Sequence, residues 1–205
     1  MTGETVVKYP YTFRINSEAT APAALPAEFV AEITGRINAS RPIDSDQAYT
    51  DFLAGITEII QRYSSGLIAD TPIFEARLPR IGRHEQTISV PAWGGVFFTF
   101  ASEADDRVEK YLIVKQAADP LGVLGFEYHQ KKVEKLKVEE GYVLLMKADD
   151  SGNVSLTFAG PGDSCELNPP TAHGIIPLTN TAILETSNYQ LDADDLLFIF
   201  KPVTV

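Results

Sequence analysis

Cysteine is almost absent from this chain: Cys165 is the only one in 205 residues. An intrachain disulfide is therefore excluded, and so is a thiolate metal cluster built within one subunit. Basic charge is also scarce, with 17 Lys and Arg against 28 Asp and Glu and a formal net charge of −11. Such a field repels nucleic acid and anionic lipid, and no basic stripe offsets it, so neither is expected as a partner. Long apolar runs are missing as well. None approaches the roughly 20 residues that cross a bilayer, so no membrane association is expected. The opening segment MTGETVVKYPYTF lacks the basic-then-apolar order of a secretion signal, which together with the cysteine usage favours a cytoplasmic location.

What is present is enough apolar sequence, 44%, for one well-buried core. Residues 1–24 mix Pro, Ala, Ser and Thr around a short extended piece at Tyr9–Ile15, and are expected to form an arm that docks on the surface or is partly mobile. Two amphipathic helices follow. Pro26 suits a first turn, and Phe29, Val30, Ile33 and Ile37 recur at helical spacing. From Asp46 to about Tyr63, the residues Tyr49, Phe52, Leu53, Ile56, Ile59 and Ile60 form one stripe, with Ser45 as its cap. Each helix has one apolar face and should lie against a larger surface.

From about residue 71 the period changes to that of strands. Short β-prone runs occur at Ile73–Leu78, Gln86–Val90, Val96–Phe100, Val108–Lys115, Val123–Tyr128 and Tyr142–Met146. Others follow at Val154–Phe158, Cys165–Leu167, Gly174–Pro177, Ala182–Thr186 and Leu196–Phe200. Many short strands without intervening helices predict a mainly β fold, a sandwich or closed barrel. Residues 71–205 would form it, with 1–70 as arm and helices of the same domain.

The chain has three histidines, His84, His129 and His173. Strand alternation sends Glu127 and His129 to one face of the run Gly125–His129, with Glu134 shortly beyond. His173 follows a turn at Pro169–Pro170. Two imidazoles and one carboxylate suit one divalent ion, Mn, Fe, Co, Ni or Zn, and leave positions open for water or a small-molecule substrate. Glu127 would be a fourth ligand or a base beside the metal. His84 lies in a polar run and reads as a surface or turn residue. Cys165 alternates with Leu167 and reads as packing, as does Tyr128. Trp93, Phe97, Phe98 and Phe100 read as core or dimer interface. Lys131 and Lys132 fit either a solvated loop or a contact to an anionic substrate, and Asp192, Asp194 and Asp195 read as a solvated turn.

At these residues the sequence resembles the cupin superfamily. The first cupin motif has a glycine, two histidines separated by one residue, then a glutamate and a further glycine; His129, Glu134 and Gly141 match it, with Glu127 in the place of the first histidine. The second motif is matched by Gly162 and His173, with Asn168 and Pro170 where proline and glycine are usual. The resemblance covers roughly residues 92–200. It implies a double-stranded β-helix, the jelly-roll barrel, with the two helices packed on it, and His129, Glu134 and His173 as metal ligands. Cupins commonly pair, so a homodimer is expected.

A finer similarity is to cupins of sugar metabolism, carried by Trp93–Gly94, by His129-Gln-Lys-Lys-Val-Glu134 and by Glu185–Thr186–Ser187. It implies an aldose–ketose isomerase acting on a sugar or sugar phosphate, with the metal stabilising an enediolate and Glu127 moving the proton. Two alternatives remain beside it: an Fe(II)-dependent dioxygenase and a non-enzymatic small-ligand-binding cupin. A strongly apolar cavity would favour the dioxygenase, and a polar one the sugar reading.

Overall fold

The computed structural model describes residues 10–81, 93–117, 124–190 and 193–202. His84 and the expected strand Gln86–Val90 lie outside them, as does Asp192. Ala27–Asn38 (α1) and Asp46–Tyr63 (α2) form the two expected helices, and the stripes read from the sequence are their buried faces. Ser45 caps α2, its hydroxyl accepting the Ala48 N–H at 3.3 Å. No helix among the described residues is long and apolar enough to cross a membrane.

The strands are Thr12–Ile15 (β1), Gly94–Ser102 (β2), Arg107–Val114 (β3), Phe126–His129 (β4), Glu134–Glu140 (β5) and Val143–Ala148 (β6). Asn153–Ala159 (β7), Ser164–Leu167 (β8), His173–Pro177 (β9), Thr181–Ser187 (β10) and Leu196–Phe200 (β11) complete the set. They form two sheets, one of order β1-β7-β6-β9-β4-β11 and one of order β2-β3-β10-β5-β8. Each sheet is hydrogen-bonded as an open sheet with two edges. The fold is mainly β.

Alternation along the strands builds three layers. In β6, Leu144 and Met146 pack with Phe29, Ile33, Phe52 and Ile56 of the helices. Val143 and Leu145 turn the other way, onto Leu136, Val138 and Ile183 of the second sheet. The six-stranded sheet is therefore covered on both faces, by helices outside and by the five-stranded sheet inside. The N-terminal arm supplies part of this core: β1 adds to the sheet edge in parallel with β7, and Phe13 is fully buried.

Two expectations are corrected. The run Ile73–Leu78 is not a strand; Pro72–Arg77 is a short helix (α3) on the outer face of the second sheet. Pro72 suits its first turn, and the buried Glu140 carboxylate accepts the Ile73 and Phe74 N–H groups at 2.6 and 3.0 Å. Those contacts outweigh the β preference of Ile73 and Phe74. Conversely, β5 is a strand the sequence reading passed over. Its Lys135 and Lys137 point to water while Glu134, Leu136 and Val138 point inward, so charge hid its alternation. Gly141 turns β5 into β6 with φ +79°; a Cβ there would lie 2.3 Å from the Asn180 carbonyl.

Candidate metal centre

Three strands bring the site together. In β4, Phe126 and Tyr128 face the helix-side core, so Glu127 and His129 face inward between the sheets. In β9, His173 stands directly opposite Glu127 in the antiparallel register. In β5, the first inward residue is Glu134, on the facing sheet. Glu127, His129 and His173 each offer a ligand atom within 4.8 Å of the others. Glu134 touches both histidines: its Oε1 is 3.1 Å from His173 Nε2 and its Oε2 is 3.4 Å from His129 Nε2. All four residues picked from the sequence therefore meet at one place.

Both imidazoles present the same nitrogen to that place. His173 Nδ1 lies 3.0 Å from the Thr171 carbonyl, which can only accept, so Nδ1 carries a proton; Nε2 faces the Glu134 carboxylate and donates a proton to it, or presents a lone pair when a cation takes the proton's place. His129 Nδ1 lies 3.3 Å from Asp195 Oδ2, a charge contact that lacks hydrogen-bond geometry, so the carboxylate stands behind the ring without fixing its tautomer. Asp195 is itself buried, and its two oxygens accept the N–H groups of Gln130, Lys131 and Lys132 at 2.8 to 3.2 Å. The reading of Asp195 as a solvated turn residue is thus corrected: three N–H donors satisfy it in the interior, with the His129 imidazole beside it.

Lys132 also leaves the loop for the interior. It is buried, its Nζ 2.5 Å from Glu134 Oε2 and in contact with Glu185 Oε1. Lys110 of β3, opposite Glu185 in the register of β10, reaches the same Oε1 at 3.0 Å. An ionic ladder therefore runs Glu134–Lys132–Glu185–Lys110 along the inner wall of the five-stranded sheet. Glu185, Asp195 and Lys110 were not singled out as site residues from the sequence. Glu185 entered the sequence reading only within the Glu185–Thr186–Ser187 similarity, without a role of its own.

The electrostatics follow from this packing. Burial pushes the Glu127 carboxyl up to about 7, against the pull of His173. Burial would also raise Glu134, but His173 and the Lys132 charge outweigh it and hold that carboxyl well below the usual range. His129 is lowered by burial and by Lys132. Burial works to lower His173, yet its hydrogen bond and charge interaction with Glu134 raise it overall.

The donor set fits a divalent ion. Two Nε2 lone pairs facing carboxylate oxygens repel unless a cation or proton lies between them, and a spacing near 3.1 Å is that of neighbouring ligands each about 2.1 Å from one ion.

Next to the cluster is a cavity of about 340 Å³. A larger groove of about 830 Å³ runs past Arg14, Ser155 and Cys165 and includes none of the cluster residues, so the smaller cavity is the one placed for chemistry. Cys165 is half-buried against the inter-sheet core. Trp93 lines the cavity, while Phe97 lies under the Arg77 guanidinium at 4.4 Å and Phe100 is exposed.

No protein-family model matches the chain, and no curated protein does. Among solved structures the likeness is weak and broad, to several proteins of the cupin superfamily. KdgF from Halomonas sp. shares 12% identity at a TM-score of 0.39, over 47% of this chain and 80% of that one. The capsular polysaccharide assembling protein CapF from Staphylococcus aureus shares 17% at 0.45, over 53% of this chain and 31% of that one. Bacillus subtilis oxalate decarboxylase, with its Mn(II) centres, shares 15% at 0.36, over 45% of this chain and 24% of that one. The likeness is one of general architecture. The chain spans about a third of the capsular protein and a quarter of the decarboxylase.

Proposed function

We propose that this chain is a metal-dependent enzyme of cupin architecture, its two sheets forming the jelly roll, with His129, Glu134 and His173 holding one divalent ion and Glu127 acting as the base beside it. The observation that supports this most directly is the approach of both Nε2 atoms to Glu134, with the His173 ring held from behind by the Thr171 carbonyl and Asp195 standing behind His129. When bound, such an ion supplies a Lewis acid for a substrate carbonyl or, as Fe(II), open positions for O₂. Lys132 and Glu185 keep Glu134 in place. Glu127, opposite His173, takes a proton from the carbon next to the carbonyl and returns it to the neighbouring atom, the chemistry of isomerisation.

One observation favours the oxygenase reading over sugar isomerisation: aliphatic and aromatic side chains make up most of the cavity wall. Metal analysis of purified and reloaded protein, followed by assays of O₂ uptake and of aldose–ketose interconversion, tests both. His173→Ala should lose the ion, and Glu127→Gln should keep it while losing turnover. A wild-type protein that takes up no divalent ion after reloading would leave a ligand-binding role as the reading of choice.

A further inference from the structure

The walls of the cavity say more than which reaction is run. Val96 and Leu112 face each other across β2 and β3, and Leu136, Ile175, Phe198 and Trp93 close around them. Apart from the cluster itself, the charged side chains among the described lining residues are Lys110, Lys132 and Glu185, and both ammonium groups are ion-paired with the one carboxylate. The polar groups lie on the cluster and the ladder beside it, so a sugar, with hydroxyls all around, would have to place several of them against aliphatic carbon and lose more water contacts than those groups replace. A phosphate fares no better, because neither lining ammonium lacks a carboxylate: Lys110 is held by Glu185, and Lys132 by Glu134 and Glu185. The space itself, about 340 Å³, is near the lower end of the roughly 300–1,000 Å³ of small-ligand pockets.

We infer that this cavity takes a small ligand with an apolar body, a monocyclic aromatic or branched aliphatic hydroxy- or oxo-acid, and that it excludes sugars and sugar phosphates. The inference rests on the proposed metal reading for the oxygen-donor end of the ligand, whereas the apolar end depends on the walls alone. The ligand lies end-on, its oxygens at the His129–Glu134–His173 cluster and its body between Leu112 and Phe198. The ionic ladder is closed on itself and adds no second anchor for charge. Leu112 is then a specificity-determining residue for whichever reaction the centre performs.

Trp93 is the only tryptophan of the chain and lines this cavity, so its fluorescence reports occupancy. Two titrations separate the parts of the inference. In the first, Mn(II)-loaded protein is titrated with salicylate, fructose and fructose 6-phosphate, with metal content measured independently. Salicylate should bind at least about tenfold more tightly than either sugar. In the second, metal-free protein is titrated with phenol, which probes the walls without the ion and should change Trp93 emission saturably. Leu112→Phe, which fills the cavity, should weaken both aromatic probes about tenfold or more while leaving Mn(II) affinity unchanged. Val96→Phe provides the same test from the opposite strand should Leu112→Phe fail to fold. Sugar binding as tight as salicylate, or phenol binding that is absent or indifferent to both filled variants, overturns the inference. Protein that binds phenol in this manner but takes up no metal instead overturns the metal reading and leaves the apolar cavity standing.

Discussion

Glu134 and His173 belong to different sheets, yet their Oε1 and Nε2 atoms lie 3.1 Å apart. An ion shared between them would tie the five-stranded sheet to the six-stranded one. Binding should therefore act as a stability term, worth about 2.7 kcal/mol when the free ion stands at 100 times its dissociation constant. Thermal unfolding with and without Mn(II), Co(II) or Zn(II) measures it. The expected result is a clear rise in Tm for the wild type and none for His173→Ala.

The Glu127 carboxyl gives the metal-free protein a pH signature. Its folded value, about 7, is above the ordinary 4.5, so between those values the unfolded chain ionises this group while the folded protein keeps it protonated. The unfolded state then binds fewer protons, and stability from this group falls as pH rises from about 4.5 to about 7 and is level beyond. The loss is at most about 3 kcal/mol, reduced because the side chain keeps some access to water through the cavity. Denaturant unfolding of wild type and Glu127→Gln across this range should show the wild type losing stability relative to the variant. Parallel curves would remove the buried-carboxyl account.

Asp195 holds the loop 130–132 and backs His129. Its replacement by Ala frees three N–H groups and releases the imidazole. A 10- to 100-fold loss of metal affinity, of roughly the size seen when carboxylates behind metal-bound histidines are removed, is expected by calorimetric titration. Asp195→Asn keeps an acceptor for the loop and should retain more of the stability than of the affinity.

Lys132→Met leaves the Glu134 and Glu185 carboxylates buried without the ammonium that joins them. Breaking a buried pair from one side costs about 3–5 kcal/mol, and chemical denaturation of metal-free protein should show a loss of that order. The double variant Lys132→Met/Glu185→Gln should recover part of it, since one orphaned charge is gone. A double variant as unstable as the sum of the single variants would show that the ladder is not a coupled unit.

Glu140 anchors α3 to the second sheet through two N–H groups. Glu140→Ala strands those donors at a buried helix start, at a cost of about 1–3 kcal/mol. Hydrogen exchange should show faster exchange across 72–77 with little change at β4 and β9.

Local sequence decided much of this protein. A period of 3.6 residues placed the stripes of α1 and α2, and a period of two placed Glu127 with His129 on one side of β4 and Phe126 with Tyr128 on the other. Those periods come from backbone geometry and need no knowledge of neighbours, which is why Glu127 and His129 were legible as a pair before any fold was known, while Glu134 and His173 joined them through the spacing of the cupin-like motifs. The tertiary structure decided what those residues face. Whether Lys132 is a solvated loop residue or a buried cation depends on Glu185 arriving from β10. Asp195 is an exposed acid or a support for His129 according to where the start of β11 lies. Ile73 and Phe74 became helix because Glu140 accepts their N–H groups. Each is a long-range contact set by strand order, and burial makes such contacts strong enough to override local preference.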